Sequence, residues 1–194
     1  MTNTVDLIIG KSKPIQGLRA LAVIAVFLFH LNPEWLPGGY LGVDIFFVIS
    51  GFLIARMLLN DISEYGFVRF GHFYLRRFGR IGPAALIVAI ATFPLAYFAL
   101  LPGDMRDFSA SMVGVITLTL NKMVANNIGY FSPIAETQPL LHYWSLIVEM
   151  HFYLLAPLLF YLFRSKTKLV FVSVSFAVIS LFYAHWLSSW DPKD

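Results

Sequence analysis

Four polar side chains recur along one apolar stretch of the sequence, residues 142–163. His142, Ser145, Glu149 and Tyr153 are separated by three, four and four residues, so on an α-helix they form one polar stripe. A lipid-facing carboxylate is costly, so we expect Glu149 to face protein or a cavity. The stripe favours a functional site, and a hydrogen-bonded cluster that joins helices is the alternative.

Arg19 and His30 form a second candidate pair. They are eleven residues apart, which on a helix is three turns plus about 20°, so they share a face at a separation of about 16 Å. A neutral imidazole near its ordinary pKa suits a general base. Both residues also lie near the ends of their apolar segment, so a membrane anchor and an interfacial residue are the alternative.

The stretch GGYLGVDIFFVISGFLI, residues 38–54, places an acid inside an apolar run. Asp44 would cost about 2.5–3.5 kcal/mol at a helix centre in a membrane, so it needs a partner, an interface or a cavity. Ser50 and Gly51 follow on the same segment, and glycine lets a backbone or ligand approach closely. A plain membrane span with a capping Asp44 remains the alternative.

Arg77 and Arg80 lie one helical turn apart. Two guanidinium groups on one face suit a ligand that carries phosphate, whereas anchoring to anionic lipid explains the spacing equally well. The sequence has no cysteine, which excludes thiolate catalysis and cysteine metal sites, and no metal site is predicted. Phosphate-binding loops, HExxH and the GxSxG nucleophile elbow are also missing.

Composition sets the elements that must position these residues. The 194 residues are 58% hydrophobic and 13% charged, with a mean hydropathy of +0.73, which predicts an all-α, polytopic integral-membrane bundle of five or six helical segments. A formal charge of +3 indicates membrane anchoring and no nucleic-acid partner. The predicted spans are residues 15–31, 41–59, 82–101, 142–163 and 169–187.

Basic residues predict the orientation of these spans. Lys11 and Lys13 precede the first span and Arg19 lies near its start, which places the N-terminus in the cytoplasm. Residues 60–81 are predicted to form a cytoplasmic loop with a surface helix. The same charge rule leaves residues 108–125 as a segment that does not cross the membrane.

Four motifs in this order resemble the acyltransferase 3 family of integral-membrane O-acyltransferases. They are IQGLRALAVIAVFLFH (Ile15–His30), GGYLGVDIFFVISGFLI (Gly38–Ile54), FYLRRFGRIGP (Phe73–Pro83) and HYWSLIVEMHFYLLAPLL (His142–Leu159). Members of the family have more spans than this sequence offers, so residues 1–194 are interpreted as a single transmembrane acyltransferase domain, the N-terminal half of a longer family domain. The sequence departs from the family pattern at Met150 and His151.

The resemblance implies an acyl-CoA donor, usually acetyl-CoA, in the cytoplasm and an extracytoplasmic sugar or glycolipid hydroxyl as acceptor. It implies a bacterial inner-membrane location and no permanently bound cofactor. His30 corresponds to the family's catalytic histidine and Arg19 to its paired arginine, while Arg77 and Arg80 would bind the donor. In the second motif the family's GVD…SGF positions correspond to Asp44 and Ser50. In the fourth motif its SL…E…FY positions correspond to Ser145, Glu149 and Tyr153.

These roles suggest a mechanism. His30 is expected to act as general base or to carry the acyl group, with Asp44 or Glu149 orienting its ring. Arg19 would bind the donor or stabilise an oxyanion, and the hydroxyls of Ser50, Ser145 and Tyr153 would bind substrate. The rival reading is a membrane carrier, or an inactive partial acyltransferase that packs against a partner.

Overall fold

A computed structural model describes residues 12–124 and 138–189. Its described part is all-helical, as predicted from composition. Seven helices follow one another: α1 (Lys13–Leu31), α2 (Gly42–Tyr65), α3 (Phe70–Ala99), α4 (Pro102–Ile116), α5 (Leu120–Met123), α6 (Tyr143–Leu162) and α7 (Lys166–Ser189). A 3-10 turn, Gly39–Leu41, leads directly into α2.

Helix α1 begins where its sequence provides a cap. The side chain of Ser12 accepts a hydrogen bond from the backbone N–H of Ile15 at 3.5 Å, and Pro14 occupies the first turn, where its missing N–H costs nothing. Asn32 adopts an extended conformation and ends the helix. The bounds agree with the predicted first span.

Two glycines bring α2 against the backbone of α1. A Cβ added to Gly42 would lie 2.5 Å from the carbonyl oxygen of Ala22, and one added to Gly39 would overlap that of Ala25. Ala22 is fully buried at this contact. Small residues allow such close approach between membrane helices, so these glycines set the distance between α1 and α2.

The structure corrects the predicted cytoplasmic loop at residues 60–81. Helix α2 continues to Tyr65 and ends on Gly66, whose φ of +75° suits glycine. After a short turn, α3 begins at Phe70 and continues unbroken through Pro83. The Arg69 guanidinium donates to the buried carboxylate of Asp61 at 2.9 Å, which closes the turn between the two helices.

The core beside this turn explains why α3 starts early. Phe73, on the first turn of α3, is fully buried and packs with Ile54 and Leu58 of α2 and with Tyr153 and Ala156 of α6. Burying a side chain of this size contributes about 1.5–3 kcal/mol. Tertiary packing therefore extends the helix across a stretch whose arginines and glycines suggest a boundary.

Helices α3 and α6 run antiparallel in a fixed register. The hydroxyl of Tyr74 donates to the carbonyl of Leu154 at 3.2 Å, and the hydroxyl of Tyr143 donates to the carbonyl of Ala85 at 2.6 Å. Tyr74 and Ala85 are eleven residues apart, as are Tyr143 and Leu154. The two bonds therefore tie the same faces of the two helices at two levels.

Within the described residues, five helical segments are long and apolar enough to cross a membrane, and they correspond to the five predicted spans. They are Lys13–Leu31, Gly39–Tyr65, Phe70–Ala99, Tyr143–Leu162 and Thr167–Leu187. Helix α4 has only 15 residues. The helical conformation is interrupted after it at Leu118, whose φ is +58°. Whether residues 108–125 cross stays a prediction, and residue 125 lies outside the described residues.

Candidate active site

A cavity of about 530 Å³ lies between α1, α2 and α6, a size within the range of small-molecule sites. Its walls are mainly apolar and carry four polar side chains. The polar residues are His30, His142, Ser145 and Glu149, and the apolar ones are Val23, Val26, Phe27, Val43, Phe46, Phe47, Trp144 and Leu146. Three of the four residues of the predicted polar stripe, His142, Ser145 and Glu149, therefore face a cavity.

His30 stands near the end of α1 with a defined proton position. Its Nδ1 lies 2.7 Å from the carbonyl oxygen of Val26, and a carbonyl can only accept a hydrogen bond, so Nδ1 carries the proton. In the neutral ring Nε2 then has a free lone pair. This is the tautomer that a general base needs.

His142 lines the same cavity as His30 and contacts its ring. The ring centroids are 4.7 Å apart and the ring planes meet at 75°, an edge-to-face contact. His142 immediately precedes α6. The His142 side chain is exposed overall, but the loss of solvent around its ring, and then the nearby His30, lower the pKa of His142 below its ordinary value. The neutral form of the His142 ring is therefore favoured.

Glu149 lies two helical turns further along α6 and accepts two hydroxyl hydrogen bonds. The hydroxyl of Ser50 donates to its Oε1 at 2.5 Å, and the hydroxyl of Tyr153 donates to the same oxygen. Ser50 and Tyr153 are both buried. An ionised carboxylate only accepts hydrogen bonds, and these two donors hold it in place between α2 and α6.

A second cavity of about 240 Å³ opens beside Glu149. Phe47 and Glu149 line both cavities, and Ser50 and Gly51 line the smaller one. A Cβ added to Gly51 would meet no atom within 4 Å. Gly51 therefore leaves open space beside Glu149, whereas Gly42 serves helix packing.

Three arginines lie near Glu149 and Tyr153. We call Arg19, Arg77 and Arg80 the arginine end of the site. Arg19 lies within electrostatic range of Arg80, Glu149 and Tyr153, and Arg77 within range of the same three residues and of Arg19. The Arg77 guanidinium also lies 5.8 Å from the centre of the Tyr153 ring. Two motifs far apart in sequence thus meet around one carboxylate.

The Nε atoms of Arg19 and Arg77 are buried, and no hydrogen-bond partner for them occurs in the part of the chain that the structure describes. Buried donors of this kind are costly unless a ligand or water satisfies them. The arginine end is therefore suited to an anion with several acceptor oxygens, such as a phosphate group.

The structure brings together eight of the nine predicted site residues. His30, Ser145 and Glu149 line the larger cavity, Ser50 and Tyr153 bond Glu149, and the three arginines surround the far side. Asp44 is the exception. It is exposed in the first turn of α2 and lines neither cavity, so its catalytic role stays a prediction.

Asp44 has a simpler structural explanation at this position. A carboxylate in the first turn of a helix interacts favourably with the helix dipole, typically by about 0.3–1 kcal/mol. The residue that the sequence interpretation left without a role is His142. Its signal was present, because it shares a helix face with Glu149, but its contact with His30 depends on how α1 and α6 are placed.

Comparison with known proteins gives the family. The sequence matches the family described as "Acyltransferase domain" over residues 14–192. O-acetyltransferase OatA of Staphylococcus aureus, in strains NCTC 8325 and COL, is 41% identical over 159 residues, which are 79% of this chain and 26% of that protein. Another protein of strain COL is 34% identical over 172 residues, which are 86% of this chain and 28% of that protein.

The chain thus spans about a quarter of the length of these relatives. No solved structure gave a significant match. Five long apolar helices and the family match together describe a multi-pass membrane protein. The chain belongs to the acyltransferase domain family, which its four sequence motifs predicted.

Proposed function

We propose that this chain forms the catalytic membrane part of an O-acyltransferase. It would move an acetyl group from acyl-CoA in the cytoplasm to a hydroxyl of an extracytoplasmic carbohydrate or glycolipid, across a bacterial inner membrane with the N-terminus in the cytoplasm. The observation that carries the proposal is His30, held by Val26 in the tautomer of a general base at the wall of a 530 Å³ cavity. The relatives named O-acetyltransferases support the acetyl group.

The chemistry follows from the protonation state of His30. Its Nε2 takes the proton of the acceptor hydroxyl while that oxygen attacks the thioester carbonyl carbon. The carbon–sulfur bond breaks, the thiolate of CoA leaves, and the imidazolium returns the proton to that sulfur. Proton, acyl group and leaving group then balance without a further reactant.

The arginine end would hold the donor. Arg77 and Arg80 are separated by one helical turn of α3, and Arg19 approaches them from α1. Guanidinium groups bind phosphate oxygens through paired, charge-assisted hydrogen bonds. The buried Nε atoms of Arg19 and Arg77, which have no hydrogen-bond partner among the described residues, are donors that such a phosphate would satisfy.

Glu149 links the two ends of the site. It lines the cavity of His30 and lies within electrostatic range of Arg19 and Arg77. We expect Glu149→Gln to fold, because the amide oxygen can still accept from Ser50 and Tyr153, and to lower the transfer rate because the charge is lost. Transfer at the wild-type rate would show that the charge of Glu149 has no part in the reaction.

The experiment that tests the function uses membranes that contain the chain, incubated with acetyl-CoA labelled in the acetyl group. We expect label on an external glycan with the wild-type chain and none with His30→Ala. His151→Ala is the matched control, since His151 is an exposed residue of α6 outside both cavities. Wild-type labelling by His30→Ala would overturn the assignment.

The donor site is tested separately by CoA binding to the detergent-solubilised protein. Each hydrogen bond to a charged group contributes about 1.5–3 kcal/mol, so Arg77→Gln and Arg80→Gln should each weaken binding by about tenfold to a hundredfold. Arg56→Gln, at an exposed residue of α2, removes the same charge away from the site and should bind normally. Unchanged CoA affinity in the first two variants would mean that these arginines anchor lipid.

A further inference from the structure

His142 occupies the place beside His30 where a carboxylate was expected. The two rings meet edge to face with centroids 4.7 Å apart and both line the larger cavity, whereas Asp44 lines neither cavity. The Nδ1 proton of His30 is already donated to the carbonyl of Val26. The ring of His142 therefore contacts His30 directly from the start of α6, while Phe29 contacts it from α1.

We propose that His142 is a positioning residue for His30, and that its neutral ring holds the His30 imidazole in place and stabilises the protonated form that arises during acyl transfer. The inference rests on the proposed function, since it assigns a partner to the base of that reaction. The face of an aromatic ring attracts a cation that lies over it within about 6 Å of the ring centre, an arrangement that the 75° angle between the two rings allows when His30 directs its edge at His142. The observed separation is inside that limit.

The role requires that His142 itself stays uncharged. Two positively charged rings at this distance would repel each other, and partial burial already disfavours the charged form of His142. The lowered pKa of His142, caused first by burial and then by His30, agrees with this requirement. The pair is thus built to carry one proton at a time.

Other ionisable groups near the pair are few among the described residues. Helix α2 brings Asp44, which is exposed, and α6 itself brings Glu149, two turns away from His142. The 3-10 turn brings Tyr40, which packs on Phe29, and α5 brings Lys122, which is exposed. Among the ionisable groups of residues 12–124 and 138–189, His30 is the one whose charge lowers the pKa of His142.

The first test is the pH dependence of acetyl transfer in three variants. His142→Leu removes the ring face, so we expect kcat/KM to fall by roughly tenfold and the acid limb of its pH profile to move to lower pH. His142→Phe keeps a ring face and should restore most of the rate and the position of the limb. His151→Leu, the control on the same helix, should leave both unchanged.

A uniform loss of rate in His142→Leu with no movement of the acid limb would overturn the proposal, because a merely structural role lowers the rate at every pH. Equal losses in the phenylalanine and leucine variants would overturn it as well, since the ring face would then be irrelevant.

The second test needs no turnover. The five histidines are labelled with 13C, and the titration of His142 is followed by NMR on the protein in lipid nanodiscs. His30→Gln removes the charge that opposes protonation of His142, so the midpoint of this titration should move to higher pH. An unchanged midpoint would overturn the pairing. A moved midpoint in His30→Gln, combined with no acetyl transfer by the wild-type chain, would support the pair and overturn the proposed function.

Discussion

The close approach of α2 to α1 leads to a sharp prediction for Gly42→Ala. The new Cβ would lie 2.5 Å from the carbonyl oxygen of Ala22 and 2.8 Å from Cγ2 of Val26, about 0.9 Å and 0.6 Å short of an ordinary contact at 3.4 Å. The first obstacle is backbone, which cannot rotate away as a side chain would. The two helices must therefore separate.

The expected cost follows from two opposing effects. Overpacking of this kind costs about 1–3 kcal/mol, and replacing glycine by alanine in a helix returns about 0.5–1 kcal/mol. The net loss of about 0.5–2 kcal/mol should lower the midpoint of thermal unfolding by roughly 2–6 °C. Transfer activity should fall too, because Val26 provides the carbonyl that orients His30.

Gly51→Ala on the same helix is the matched control. The added Cβ meets nothing within 4 Å, so only the gain in helix propensity remains and unfolding should shift slightly upward. Thermal unfolding of both variants in the same detergent gives the comparison. If Gly42→Ala is as stable as Gly51→Ala, the glycine contact does not set the distance between α1 and α2.

Three further predictions concern the rest of the bundle. Tyr143→Phe should lower the free energy of unfolding by about 0.5–1.5 kcal/mol through the lost bond to Ala85, while Tyr97→Phe, at an exposed residue of α3, should be neutral in the same denaturation assay. Asp61→Asn removes the charge of a buried ion pair and should cost about 1–3 kcal/mol, and equal stability to wild type would contradict this role. The lowered pKa of His142 means that the unfolded chain takes up a proton first as the pH falls below about 6.5. Stability should therefore be full above that pH and decrease below it, and unfolding curves should show a smaller decrease in His142→Leu.

The sequence predicts the helices of this protein well because their signal is local. Apolar runs of membrane length recur five times, and Ser12 and Gly66 stand at helix ends where their side-chain oxygen and left-handed backbone satisfy the terminal groups. The start of α3 was not predictable in this way. Phe73 is held by residues of α2 and α6, and no local pattern reveals contacts with such distant partners.

The site shows the same division between local and distant information. The spacing of Ser145 and Glu149 on one helix face gives a polar stripe, and the stripe does face a cavity. The sequence also shows that an acid in an apolar run is costly. It does not show which neighbouring residues the Asp44 side chain faces. The pairing of His30 with His142 joins residues 112 positions apart, so it depends on tertiary packing alone.

The paired tyrosine bonds between α3 and α6 have a consequence for how ligands reach Glu149. A slide of α6 by one helical turn, about 5.4 Å, would break the bond at Ala85 and the bond at Leu154 together. Glu149 lies on α6 between these two attachment points, so its depth in the bundle is fixed. A ligand that contacts both the arginine end and the histidine pair must therefore move past Glu149 or extend beyond it, because Glu149 itself does not shift.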